Sequence, residues 1–234
     1  MSTFLKNSVP LLAVLLVSSS FMGGCKRGDN PLDELTAITE TNLFPFAVGR
    51  LFVFTAYTLD TTGKKIQSST HREALYVRSA ITIGGKNGFT LIDSVYFTDG
   101  TLSYVDSTYF ASDDGDLLVY YGTWVTLFKR SAGVDNEYDA GSFSETLFGV
   151  PIVLNVKCKI RPKESVTVPI GTVQAYKLEV KTSTTLGGQT YEFLQYAWFA
   201  DGFGPVKQQE PVQVDPVFGI RLNGSESLLV SKNF

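Results

Sequence analysis

From Leu43 onward the chain alternates apolar and polar residues with the two-residue period of half-buried strands. Arg50 to Asp60 is the first such run, rich in Phe, Val, Tyr and Thr, and Thr61-Thr62-Gly63-Lys64 after it reads as a turn. Further runs cover 66–83, 89–97, 102–105, 108–110, 117–121 and 123–129. The second half adds 151–161, 165–170, 173–186, 189–199 and 204–211, then short runs at 218–222 and 227–230. Gly84-Gly85, Asp99-Gly100 and Asp113-Asp114-Gly115-Asp116 separate neighbouring runs, and Asp-Gly favours a tight hairpin because both residues tolerate positive φ. Runs about ten residues apart, joined by turn dipeptides and lacking a helical period, predict an all-β antiparallel meander with little helix. An open sheet of so many strands exposes edges, so the meander is expected to close into a single barrel or an open half-barrel. The polar, glycine-containing stretch 131–149 reads as a long loop.

Residues before Leu43 have a different texture. Met1–Ser8 carries Lys6 and no acid, Val9–Val17 is apolar but for Pro10, and three serines lead to Met22-Gly23-Gly24-Cys25. A cationic start, a short apolar run and small residues before a cleavage point are the parts of a secretion signal. The apolar stretch falls short of the ~20 residues that a spanning helix needs. Met22–Cys25 resembles a lipobox, with an apolar residue, two small ones and the Cys that accepts lipid. The expected organisation is a signal peptide over 1–24, a lipidated Cys25 with a flexible tether to residue 42, and a single β domain over 43–234. Within the tether, Asp33 to Thr39 offers at most one helical turn. By the lipobox resemblance, Cys25 carries a diacylglycerol and a further acyl chain such as palmitate. At ~0.8 kcal/mol per buried CH₂, two or three chains form a durable membrane anchor. Lys26 after the cysteine is compatible with delivery to the outer membrane, on its periplasmic face or at the cell surface.

Composition agrees with strands: 44% of residues are hydrophobic, 13% are aromatic, and 21 are glycine. A net charge of −3 without basic blocks leaves no footprint for nucleic acid. There are two cysteines, Cys25 and Cys158. With Cys25 acylated, Cys158 has no partner, and its place in the strictly alternating Leu154–Arg161 run marks it as a core residue on a strand.

Three segments resemble motifs of an uncharacterised lipoprotein family of the Bacteroidetes–Chlorobi group. They are Phe44-Pro45-Phe46-Ala47-Val48-Gly49, Thr167-Val168-Pro169-Ile170-Gly171-Thr172 and Trp198-Phe199-Ala200-Asp201-Gly202-Phe203-Gly204-Pro205-Val206-Lys207. Phe52, Ile170, Val173 and Pro205 depart from the family's usual residues. The resemblance implies a mostly antiparallel, partly open barrel similar to lipoprotein carriers and periplasmic lipid-binding domains, and it brings no activity with it. Read physically, Pro169 and Gly171 make a turn, while Gly202 and Gly204 mark a bulge or a close backbone approach.

Little in the chain speaks for catalysis. His71 is the one histidine, and its polar surroundings Ser69–Glu73 read as an exposed strand position. One histidine excludes His-pair metal sites, and neither a Gly-x-Ser-x-Gly elbow nor a phosphate-binding loop is present. Asp113, Asp114 and Asp116 come nearest to a calcium loop, but no distal bidentate Glu follows them, and Asp-Gly is a common hairpin tip. No cofactor is implied. The aromatic rows Phe52-Phe54, Tyr96-Phe97, Tyr120-Tyr121-Trp124 and Tyr191-Phe193-Tyr196-Trp198 read as core and cross-strand pairs, or as the wall of an apolar cavity. The expectation is a membrane-anchored lipoprotein, not an enzyme, serving as a binding or envelope-structural module. Its partners would be the membrane, through the anchor, and a hydrophobic small molecule or an envelope protein. The alternatives are a periplasmic lipid or lipoprotein carrier with an apolar barrel cavity, and a surface lipoprotein that binds or hydrolyses carbohydrate.

Overall fold

The structure is a computed structural model that describes residues 37–147, 150–214 and 221–234. Cys25, the signal peptide and most of the expected tether, including most of the helical turn, lie outside the described residues. The first six strands are β1 (Leu51–Leu59), β2 (His71–Ile83), β3 (Lys86–Tyr96), β4 (Leu102–Asp113), β5 (Asp116–Tyr120) and β6 (Trp124–Phe128). The next five are β7 (Glu137–Leu147), β8 (Val150–Val168), β9 (Gly171–Leu186), β10 (Gln189–Ala200) and β11 (Gly204–Glu210). A short pair, β12 (Gln213–Val214) and β13 (Arg221–Leu222), precedes the last strand, β14 (Gly224–Lys232).

Twelve strands form one antiparallel sheet in the order β6-β5-β4-β3-β2-β1-β14-β11-β10-β9-β8-β7, rolled into a nearly closed barrel. It is a meander in two runs, β1–β6 and β7–β11, and β14 is inserted between β1 and β11 to join them. The hairpins form where turn chemistry calls for them. Gly84 and Gly85 have φ of 55° and 76°, Asp114 and Gly115 have 51° and 82°, and two left-handed residues in succession match the right-handed twist of the flanking strands. Asp99 Oδ1 accepts hydrogen bonds from the Thr101 amide and hydroxyl and so closes the β3–β4 turn.

Three expectations need revision. The 131–149 stretch is not a loop throughout, because Glu137–Leu147 is strand β7. Its alternation was hidden by a bulge: register shifts between Asp139 and Gly141, so inward Ala140 is followed by inward Phe143, out of period. The runs 151–161 and 165–170 are one strand, β8, which passes Pro162 through a register shift between Ile160 and Lys163. A bulge is where a central strand tolerates a residue with no N–H. Finally, residues 38–42 are seated on the barrel. Ile38 is buried, and its carbonyl accepts from the Arg130 guanidinium. Glu40 pairs with Lys163 and accepts from the Tyr176 hydroxyl. Asn42 bonds Asp201 and Gly202.

This N-terminal segment plugs one end of the barrel. Phe44 meets Phe128 and Phe199 edge-on, with ring centroids 5.2 and 5.0 Å away, and Phe46 reaches Phe52 and Phe110. Gly204 (φ 79°) permits the packing: a Cβ there would stand 2.9 Å from the Phe52 ring and 3.2 Å from Pro45. The close approach inferred from the sequence at Gly204 is therefore made by the plug and β1.

The two sheet edges, β6 and β7, face each other without a backbone ladder among the described residues. Side chains close this seam. Tyr138 on β7 donates its hydroxyl hydrogen to the Leu127 carbonyl of β6 and accepts from the Lys129 amide at 3.0 Å. Tyr121 stacks on Phe143 with centroids 4.3 Å apart. Cys158 lies buried behind Tyr138, as the alternation predicted, and burial pushes its thiol pKa up. Tyr138→Phe leaves the partly buried Leu127 carbonyl of β6 without its partner, a loss of about 1–3 kcal/mol, and releases the exposed Lys129 amide just beyond the strand. Urea denaturation is expected to show that loss, and amide exchange at Lys129 should accelerate. Unchanged exchange there would mean that the hydroxyl does not hold the seam.

Candidate functional site

The barrel interior has an aromatic half next to the plug and a polar half at the opposite end. Strand register explains the division. On β2 the inward positions run His71, Glu73, Leu75, Val77, and on β3 they run Leu91, Asp93, Val95, with Leu75 directly opposite Asp93. On β4 Asp106 stands opposite Asp93, and Phe110 follows two inward positions later. On β11 the inward residues are Gln208 and Glu210, the latter opposite Ser225 of β14. Four carboxylates, of Glu73, Asp93, Asp106 and Glu210, thus face the same end of the interior.

Three of the four are held by neighbours. Glu73 accepts from Ser227 Oγ at 2.7 Å and lies 3.2 Å from His71 Nε2. Glu210 accepts from Gln195 Nε2 at 3.0 Å and Ser225 Oγ at 3.3 Å. Asp106 accepts from the Ser107 amide at 2.7 Å. Asp93 differs. It is 7% exposed, the Ser94 amide bonds its carboxylate, and its Oδ1 has no partner among the described residues. Burial first, then the Glu73 and Asp106 charges, raise its pKa to about 7. Glu210 is raised by burial against the opposing effect of its two hydrogen bonds. His71 is raised chiefly by its bond to Glu73.

A cavity of about 40 Å³ lies between the plug and this polar end, lined mainly by apolar side chains that include Phe46, Leu75, Leu91 and Phe110. Gln195 and Gln208 also line it, and Gln195 in turn donates to Glu210. The four carboxylates themselves are not part of its lining, and the link to Asp93 is through Leu75 and Leu91, its inward neighbours. At roughly 10–15 Å³ per water-sized space, it has room for a few small atoms and not for an acyl chain. The barrel wall is low beside it. β5 pairs only with Tyr109–Asp113 of β4, which leaves the Leu102–Thr108 edge without a partner among the described residues. Leu102 and Val105 on that edge are exposed.

The residues singled out from sequence fare differently. Asp113, Asp114 and Asp116 form the β4–β5 hairpin tip and do not converge: Asp113 pairs with Lys86 at 2.6 Å, and Asp116 accepts the Arg130 amide at 2.8 Å. Among the described residues, no three His, Cys, Asp or Glu side chains are placed to hold a metal ion. His71 is not exposed but half-buried and turned inward, because it shares the phase of Leu75 and Val77. The aromatic rows split by face. Phe52 and Phe54 face the interior, whereas Tyr196 and the buried Trp198 take the opposite phase of β10 from Ala197 and Phe199 and lie beneath Lys177 and Lys207. The carboxylate cluster was not anticipated. Its signal was an acid in the inward phase of an alternating run, as in Leu91-Ile92-Asp93-Ser94-Val95, where a polar residue would be expected only on the solvent face.

No family model and no curated protein matches the chain. Among solved structures it is similar to a Parabacteroides distasonis protein provisionally classed as a lipoprotein, with 14% identity over 84% of this chain and all of that one, at a TM-score of 0.52. A Bacteroides fragilis exported protein with a YmcC-like fold aligns at 14% identity over 85% of this chain and all of its own, with a TM-score of 0.46, too loose a fit to bear on the argument. What the chain shares with the Parabacteroides protein is the fold, a single antiparallel barrel-shaped sheet.

Proposed function

We propose that the chain is an outer-membrane lipoprotein anchored through Cys25, and that its barrel is a non-catalytic binding module with its ligand site at the polar end of the interior. The observation that carries this reading is the division of the barrel. Phe44 and Phe46 plug one end, the unpaired Asp93 oxygen lies toward the other, and a small apolar cavity lined by Phe46, Leu75 and Leu91 lies between them. A tethered barrel with its plug toward the membrane presents the polar end to the compartment. The fold shared with a protein provisionally classed as a lipoprotein, the lipobox at Met22–Cys25 and the three family-like motifs all support the address. Two Glu73 contacts place a serine and a histidine on the same carboxylate, with the acid in the middle, which does not align a nucleophile with a base.

Metabolic labelling with palmitate in a Gram-negative host tests the address. The full chain is expected to incorporate label and to sediment with outer-membrane vesicles, and Cys25→Ser is expected to lose both. Label retained in the Cys25→Ser variant would overturn the assignment.

A further inference from the structure

Asp93 Oδ1 is the one buried side-chain oxygen or nitrogen without a hydrogen-bond partner among the described residues. Leaving a buried polar atom unpaired costs about 1–3 kcal/mol, and more when it is charged. The surrounding groups do not relieve it. Glu73 and Asp106 are acids like itself, and the Ser94 amide is the donor that its carboxylate already has.

We propose that the polar end of the barrel binds a protonated aliphatic amine, its ammonium on Asp93 Oδ1 between Glu73 and Asp106 and its alkyl stem against Leu75 and Leu91. This rests on the reading of the same site as a binding site.

Each feature of the site selects that chemistry. An anion is repelled by the carboxylates, and a neutral alcohol gains nothing from their field. A metal ion needs several ligating side chains converging on one point, and no such group of three exists among the described residues. A guanidinium wants two free oxygens side by side, and among the described residues one buried side-chain oxygen, Asp93 Oδ1, is unpaired. Both oxygens of Glu73 are occupied by Ser227 and His71, and both of Glu210 by Gln195 and Ser225. An ammonium is a compact point charge whose donors can use a single free oxygen. The cavity of about 40 Å³ beyond Leu75 takes a short methylene chain end and no more. A short free alkylamine fits that space, whereas a lysine side chain of a polypeptide would bring its peptide groups to the far end of the stem, where the cavity has no room for them.

The titratable groups that face Asp93 are Glu73 on β2 and Asp106 and Tyr104 on β4, and Glu73 in turn is met by His71 on β2 and Glu210 on β11. Asp93 is half protonated near pH 7 in the free protein, while an alkylammonium keeps its charge well above that. Binding therefore displaces a proton, and affinity rises as pH increases through about 7. Deprotonation of His71, whose pKa is raised chiefly by its bond to Glu73, acts in the same direction.

The test is isothermal titration calorimetry of the full chain in detergent micelles. The probes are n-butylammonium, 1,5-diaminopentane and Nα-acetyl-lysine amide, with n-butanol and Nα-acetyl-norleucine amide as neutral counterparts. The expected result is saturable amine binding with Kd of about 1 mM or tighter, and at least roughly tenfold weaker binding of the neutral compounds. The apparent enthalpy should depend on the buffer near pH 7, as proton release requires. Asp93→Asn should abolish that dependence and weaken binding by roughly tenfold or more, and Asp106→Asn should weaken it less. n-Butylammonium is expected to bind more tightly than diaminopentane, whose second charge would enter the apolar cavity, and than the lysine amide. Tighter binding of either would overturn this placement of the stem. Equal binding of amines and neutral counterparts, or unchanged binding by Asp93→Asn, would overturn the proposal. The outcome is independent of palmitate labelling, so failure of the anchor and failure of the amine site are told apart.

Discussion

Thermal unfolding is expected to give a midpoint roughly 7 °C higher near pH 5 than near pH 8, and Asp93→Asn is expected to remove most of that difference. Linkage gives the sign. Asp93 has a pKa of about 7 in the folded barrel against 3.8 for an unperturbed group, so the folded state holds the proton more tightly. Stability contributed by such a group is fully present below the unfolded value and is lost as pH rises through the folded one. At about 1.36 kcal/mol per unit, the part of that loss that falls between pH 5 and pH 8 is about 3 kcal/mol, which in a domain of this size corresponds to roughly 7 °C. Glu210 and His71 are also raised, so their contributions run the same way. Asp60, Asp99 and Glu226 are lowered and act oppositely, but only as pH falls through the acid range. The Asn variant is close to isosteric, removes the charge from between Glu73 and Asp106, and should be the more stable protein at pH 8. A native protein more stable at pH 8 than at pH 5, or an Asn variant with the native slope, would contradict the burial of a free carboxylate at this position.

Phe44→Ala is expected to destabilise the barrel by about 3–5 kcal/mol, although the residue lies seven positions before the first strand. Its ring packs edge-on against Phe128 and Phe199, which belong to β6 and β10, and it is 8% exposed. Truncation loses both the transfer free energy of the ring and the packing of the plug, because β-barrel walls cannot close over the gap. In urea the midpoint should fall while the slope stays unchanged, since the same surface is exposed on unfolding. A loss below about 1 kcal/mol would show that the segment lies loosely on the barrel, as a surface position does.

Particular elements show why some of the molecule was legible in advance. The hairpins at Gly84-Gly85, Asp99-Gly100 and Asp113–Asp116 stand where turn residues with positive φ had to be, because that requirement is local. Cys158 was correctly placed in the core because its run alternates without interruption. β7 and the junction inside β8 were misread, since a single bulge shifts the phase and erases the two-residue period over the few residues available. Asp93 was passed over for a similar reason. In one strand an inward acid looks like an ordinary polar residue, and its meaning arises only when Glu73, Asp106 and Glu210 arrive from three other strands.

The sequence by itself determined the all-β antiparallel class, most hairpin positions, the burial of Cys158 and the expectation of a lipid address at Cys25, all of which depend on period, turn chemistry or short motifs. Only the tertiary structure decided that β14 joins the two meanders, that residues 38–46 plug the barrel, and that Tyr138 spans the seam between β6 and β7. It also decided which polar residues share the interior with Asp93. Such features depend on closure, which brings together strands far apart in the chain, and no local pattern encodes the partner that closure supplies.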